Sequence, residues 1–178
     1  LLKGHIEIKG RMIIDSAIEL LGKVFDRVVI STNTPENYFN CGVPMVGDVI
    51  NKRGPLTGIC SLLLNTGDDI FVIGCDMPFI KEGLVRHIVN RNKMESRNPG
   101  AVIPVFNGES QPLLGIYSNN ALKTIEDRLK RNRRGLKEML TELNVLYIKE
   151  ADVREIDPDG KSFVNINTME DLNKALSY

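Results

Sequence analysis

The chain has 178 residues, 42% hydrophobic and 26% charged, an ordinary balance for one globular domain with a buried core. Lysine plus arginine and aspartate plus glutamate number 23 each, so bulk charge points to neither a nucleic-acid nor a membrane partner. Asp68, Asp69 and Asp76 break the best apolar run well short of a membrane span, while Cys41, Cys60 and Cys75 lack zinc-site spacing and suit free thiols in a reducing cytoplasm.

Strand-like and helix-like patterns alternate, which predicts an α/β fold with a mostly parallel sheet and helices on both faces, in one domain over residues 1–178. The sequence opens in mid-pattern at Leu1-Leu2-Lys3-Gly4-His5, whereas a doubly wound fold starts with a strand and a phosphate-binding turn. A mobile glycine-rich loop ahead of Lys3 is therefore expected. Residues 12–21 place Ile13, Ile14, Ala17, Ile18 and Leu21 at helical spacing. Residues 27–31 contain Val28-Val29-Ile30, a short buried strand. Residues 56–64 read as an apolar helix opening just after Gly54-Pro55. A central strand at 70–75, a helix at 83–89 and a strand at 101–105 follow. The last third reads as a strand at 111–117, a helix at 121–131 with a basic end, a short helix at 136–143 and a strand at 145–148. A polar turn at 157–161 rests on Pro158 and Gly160. Thr168 opens the last helix, and Asp171 three residues later forms the pattern of a capping box.

The most informative run is residues 70–80, Ile-Phe-Val-Ile-Gly-Cys-Asp-Met-Pro-Phe-Ile. Asp76 stands at the carboxyl end of a buried strand, where open α/β sheets place their ligands. A lone carboxylate there suits Mg²⁺ held against a substrate phosphate, and it equally suits a helix cap. Cys75 has no histidine near it in sequence and reads as a small buried strand residue rather than a nucleophile. Ser31-Thr32-Asn33 offers hydrogen bonds to a base or ribose, though turn chemistry accounts for it as well. Asp48, in Val46-Gly47-Asp48, suits a purine edge or a sugar hydroxyl, or simply turns the chain. Gly54, Pro55 and Gly58 let backbone approach a ligand and also start a helix. In residues 163–168, alternation puts Phe163, Asn165 and Asn167 on one face and Val164 and Ile166 on the other. The two amides could contact phosphate or metal, or cap the helix that follows. Lys130, Arg131, Arg133, Arg134 and Lys137 form a basic cluster that is either solvated surface or an anion site. Lys3 would reach a phosphate if a glycine loop precedes it, while His5 and His87 read as structural or exposed.

In this order, several segments resemble the molybdenum cofactor guanylyltransferases, nucleotidyltransferases that share a three-layer Rossmann-like fold with sugar-nucleotide enzymes. They are Gly10-Arg11-Met12-Ile13-Ile14, residues 28–33, Val46-Gly47-Asp48, Gly54-Pro55-Leu56-Thr57-Gly58, Cys75-Asp76-Met77-Pro78-Phe79, Gln111-Pro112-Leu113, residues 163–168 and Glu170-Asp171-Leu172. The resemblance implies transfer of GMP from GTP to molybdopterin with Mg²⁺ and release of pyrophosphate. By position it implies that Asp76 binds the metal and that Asp48, Ser31, Gly54 and Pro55 bind nucleotide. Ser31 stands where many members have Asn. Lys3 matches the lysine that closes the family's Leu-Ala-Gly-Gly-x-x-x-Arg-Met-Gly signature, which is absent ahead of it, and is expected to act catalytically on the triphosphate. Asn165 and Asn167 match a late asparagine pair near the site, with Met169 in place of the usual proline. Arg133 and Arg134 become candidates to hold the anionic pterin. The implied partners are GTP and molybdopterin cofactor, with molybdoenzymes or other cofactor-biosynthesis proteins beyond them, and neither nucleic acid nor membrane. The alternatives are a molybdopterin cytidylyltransferase, a sugar-phosphate nucleotidyltransferase, or a non-catalytic nucleotide-binding relative.

Overall fold

A computed structural model describes residues 3–176. After a 3-10 turn at Lys3–His5, strands β1 (Glu7–Ile8) and β2 (Arg11–Met12) form an antiparallel hairpin. Its two-residue loop, Lys9-Gly10, has positive φ at both positions (52° and 78°), the turn whose twist matches the strands it joins. Then come α1 (Ile13–Gly22), β3 (Ile30–Ser31), β4 (Met45–Val46), α2 (Pro55–Thr66), β5 (Ile70–Ile73) and α3 (Glu82–Met94). The second half holds β6 (Ala101–Phe106), β7 (Glu109–Ser110), β8 (Leu114–Tyr117), α4 (Leu122–Lys130), α5 (Leu136–Leu140), β9 (Val145–Ile148), α6 (Glu150–Ile156) and α7 (Met169–Leu176).

The central sheet runs β5-β8-β6, with β7 as a hairpin return on β6 and β9 on the other side of β6. Successive side chains on a strand face opposite ways, and here each face meets its own helices. Ile70, Val72, Ala101, Ile103, Tyr117 and Val145 pack with α2, α4 and α5. Phe71, Ile73, Val102, Leu114, Ile116 and Ile148 pack with α3 and α6. Helices therefore cover both faces, as the alternation of elements predicts. No helix among the described residues is long and apolar enough to cross a membrane.

Several expectations need correction. The sheet is mixed rather than mostly parallel: β3–β4 and β6–β9 are the parallel pairs among the described residues, whereas β8 runs antiparallel to both β5 and β6. The expected strand at 27–31 contracts to Ile30–Ser31, because Val28 and Val29 join no ladder. The strand at 70–75 ends at Ile73, so Cys75 is exposed beyond the strand end rather than buried within it. The strand at 111–117 begins only at Leu114, because Leu114 first turns back onto the Gln111 carbonyl at 3.1 Å. Helix α6 lies where no element was expected, and α3 continues to Met94. The capping box is formed: the Asp171 N–H donates to Thr168 Oγ1 (3.1 Å), and Asp171 Oδ2 accepts from the Asn167 (3.0 Å) and Thr168 (2.9 Å) N–H groups.

Candidate active site

A cavity of about 490 Å³ lies between α1 and β3 on one side and β5 on the other. Its body is apolar. Ile14, Ala17, Ile18 and Leu21 repeat at helical spacing along one face of α1, and Val29, Ile30, Phe71 and Ile73 oppose them. Its lip is polar, because β3, β4 and β5 all end there. Ser31 closes β3, Asp48 follows β4 by one intervening glycine, and Asp76 follows β5, so one cavity receives all three. Gly54, Pro55 and Gly58, at the start of α2, complete the lining.

The lip is ordered by hydrogen bonds between segments. Asn33 Nδ2 donates to Asp48 Oδ2 at 2.6 Å, and the Asp48 N–H donates back to Asn33 Oδ1 at 2.8 Å. This reciprocal pair ties the ends of two strands together and fixes one oxygen of the Asp48 carboxylate. The next residue is tied to α2: the Val49 N–H donates to Ser61 Oγ, which itself donates to the Thr57 carbonyl, both at 2.9 Å. Helix α2 lies so close to β3 that a Cβ on Gly58 would stand 2.8 Å from Ser31 Oγ. Beside Asp76, a Cβ on Gly74 would stand 2.9 Å from Asp76 Oδ1 and 3.1 Å from Met77 Sδ. Glycine at 74 thus leaves room for the Asp76 carboxylate where it lies.

The remaining expected residues divide. The Ile166 N–H donates to the Asp76 carbonyl at 2.9 Å, which sets the Asn165-Ile166-Asn167 segment beside Asp76. Ile166 is buried while Asn165 and Asn167 are exposed, the alternation the sequence predicts, but neither amide lines the cavity. Arg133 and Arg134 are exposed on the turn between α4 and α5 and do not line it either. Arg134 reaches toward it, donating to the Arg53 carbonyl at 3.3 Å, next to Gly54, and to Asn132 Oδ1 at 2.8 Å and 3.1 Å. Elsewhere in that basic cluster, Lys137 is paired with Glu109 at 2.6 Å and Lys130 with Asp127 at 3.5 Å. The side chain of Lys3 lies outside the described residues. The turn that carries it is seated near the cavity wall, with the His5 ring 5.1 Å from that of Tyr38 and Gly4 against Ile14. Burial, and then the neighbouring Cys75 and Cys41 thiols, push the Tyr38 hydroxyl above its ordinary range.

Among the described residues no cluster of three or more His, Cys, Asp or Glu side chains could hold a metal ion by itself. Asp76 with one or two phosphates is a different donor set. Magnesium keeps much of its water and takes one or two carboxylates together with substrate phosphates, so a single strand-end carboxylate fits an ion that arrives with a nucleotide. Asn33, expected with Ser31 and Thr32 as a contact to a base or ribose or as turn chemistry, is bonded instead to Asp48. That partner sits fifteen positions away and meets it only because β3 and β4 pair in parallel.

The MobA-like NTP transferase domain family matches residues 2–146. A protein named probable molybdenum cofactor guanylyltransferase from Peptoclostridium acidaminophilum is 32% identical over 176 residues, covering 97% of this chain and 80% of the relative. A molybdenum cofactor guanylyltransferase from Desulfosudis oleivorans is 34% identical over 169 residues, covering 94% of this chain and 82% of the relative. The solved structure of molybdopterin-guanine dinucleotide biosynthesis protein A from Archaeoglobus fulgidus matches with a TM-score of 0.85 at 24% identity, covering 98% of this chain and 89% of that one, and shows the same fold.

Proposed function

This chain belongs to the MobA-like NTP transferase family and, within it, to the molybdenum cofactor guanylyltransferases, and from that premise we propose that GTP is held and cleaved at the lip formed by Ser31, Asp48 and Asp76. The enzyme is a nucleotidyltransferase that moves GMP from GTP to molybdopterin. A phosphate oxygen of molybdopterin attacks the α-phosphorus, a new P–O bond forms, and the bond to the β-phosphate breaks with its electron pair leaving on pyrophosphate. The attacking phosphate is already ionised, so no side chain has to take a proton. The protein's work is to position the groups and offset charge.

The convergence of three strand ends on one cavity is the observation that carries this reading. Asp48, oriented by Asn33, accepts N–H bonds from the guanine edge. Ser31 bonds the base or ribose, and the backbone at Gly54 and Pro55 approaches the nucleotide. Asp76 holds Mg²⁺, which when bound neutralises charge across the phosphate oxygens. Lys3, by its match to the lysine that closes the family signature, is assigned to the triphosphate. Asn165 and Asn167, in the segment beside Asp76, and Arg133 and Arg134, on the turn bonded to Arg53, hold the anionic pterin substrate. Molybdoenzymes, or proteins that load them, take the product. The free thiols of Cys41 and Cys60 suit a reducing compartment, and the cytoplasm fits them.

Thermal unfolding with GTP, CTP or ATP, each with Mg²⁺, tests the reading. Nucleotide at a hundred times its Kd stabilises the folded state by about 2.7 kcal/mol. GTP is expected to give the largest rise in Tm. A rise with CTP and none with GTP would replace the guanylyl reading with a cytidylyl one, and no rise with any nucleotide would overturn it.

A further inference from the structure

The turn that carries Asp76 is held at both ends by one other segment of the chain. At its start the Asp76 carbonyl accepts the Ile166 N–H at 2.9 Å. At its end the Lys81 N–H donates to Ser162 Oγ at 3.0 Å. The stretches 76–81 and 162–166 thus lie antiparallel, joined where each begins and ends. What fixes the second stretch is Asp157. This carboxylate is wholly buried, unusual for an acid, and sits just past the end of α6. Its Oδ2 accepts the Ser162 N–H at 2.7 Å, and its Oδ1 lies 3.0 Å from Lys81 Nζ. Lys81 Nζ also donates to the Ile156 carbonyl at 3.2 Å. The chain between Asp157 and Ser162 has little freedom. Gly160 adopts φ 65° directly over Phe106, where a Cβ would come within 2.1 Å of the ring. Phe163 then stacks on Phe106 at 4.8 Å.

A buried, charge-paired carboxylate is expensive to retain where apolar packing would serve equally well. Here it does what an apolar residue could not: it binds a backbone N–H of one stretch and, in the other, the lysine just ahead of α3. We propose that Asp157 is a positioning residue for the reaction, holding through Ser162 and Lys81 the turn that presents Asp76 to the metal–nucleotide complex. This rests on the assignment of Mg²⁺ to Asp76. Groups that orient a ligating carboxylate influence metal affinity without touching the ion.

The test is Mn²⁺ binding in the presence of an α,β-methylene analogue of GTP, read by electron paramagnetic resonance. It compares the wild-type protein with Asp157→Ala, Ser162→Ala and Asp76→Ala at a temperature where each is folded by circular dichroism. Loss of the clamp is expected to weaken Mn²⁺ binding about tenfold or more, with a matching rise in the Mg²⁺ concentration that half-saturates turnover. A residue that served only stability would lower Tm and leave both affinities of the folded protein unchanged. Folded Asp157→Ala protein that binds Mn²⁺ as the wild type does would overturn the proposal. If Asp157→Ala does not fold, Ser162→Ala, which removes only the hydroxyl facing the Lys81 N–H, decides by the same measurement. Equal Mn²⁺ binding by the wild type and Asp76→Ala would instead remove the metal role of Asp76, and this inference with it.

Discussion

The half of the molecule built on β5, β8, β6 and β9 differs sharply from the half built on α1, β3 and β4. In the first, strands of four to six residues pair on successive edges, and Ala101, Val102, Ile103, Leu114 and Tyr117 are fully buried. In the second, β3 and β4 are two residues long, and a cavity opens where α1 and β3 face β5. Backbone and apolar groups already satisfied by one another leave nothing for a ligand, whereas short strands free their ends for polar side chains. The paired half therefore supplies stability, and the seam between the halves holds the cavity proposed for the chemistry. Substitutions should separate along the same line.

The largest effect is expected at the seam. Asp76→Ala should lower Mg²⁺-dependent turnover at least about a hundredfold, the scale seen when one charge-stabilising group is lost, with an almost unchanged Tm. Near-normal activity would take Asp76 out of the metal role. In the paired half the pattern should reverse. Leu114→Ala, at a fully buried site, should cost about 2–5 kcal/mol by urea unfolding, yet leave the GTP affinity of the folded protein intact. Gly115→Ala tests the closeness of β8 to β6. A Cβ there would meet the Val102 carbonyl oxygen at 2.5 Å, a backbone atom with no room to yield. A loss of about 1–3 kcal/mol is expected, and no loss would mean that the two strands pack less tightly than described.

Two smaller effects sharpen the contrast. Asn33→Ala removes the donor that fixes Asp48 Oδ2 at an exposed position, so GTP binding should weaken by about 1 kcal/mol, roughly fivefold, while stability barely moves. Equal losses for GTP and ATP would show that Asp48 does not read the base. The last concerns pH. Burial alone would raise the Asp157 carboxyl, but the bonds from Ser162 and the pairing with Lys81 outweigh it and hold the group below its ordinary value of 3.8. Its stabilisation is therefore complete above that value and is lost as the pH falls through the lower folded value. Urea midpoints measured from neutral pH down to strongly acidic conditions should show Asp157→Asn converging with the wild type only at the acid end.

Much of this was legible in the residues because it depends on local rules. Helical spacing located α1, the Gly54-Pro55 entry to an apolar stretch located α2, residues 101–105 and 145–148 read as the strands β6 and β9, and Thr168 with Asp171 marked the start of α7. The strand-end position of Asp76 was equally visible. Other local signals were present and went unread. Lys9-Gly10 and Asn107-Gly108 both take positive φ in two-residue hairpin loops, and Asn-Gly is a strong sequence mark of such a turn. The basic cluster was legible as charge but not as position: Arg134 is set beside Arg53 by a backbone carbonyl that no charge pattern specifies.

The amino-acid sequence by itself marked the longer helices α1 to α4 and the strands β5, β6 and β9, and the acid that follows the central strand, but not α6, β4, β7 or the β1–β2 hairpin. The marked elements follow from side-chain period, capping chemistry and turn residues within a few positions of one another. The tertiary structure alone decided that β8 inserts antiparallel between β5 and β6, that Asn33 meets Asp48, and that Asp157 braces the turn after Asp76. The physical reason is that alternating side chains look the same in a parallel or an antiparallel strand. A hydrogen bond across dozens of residues exists only once the whole sheet has closed.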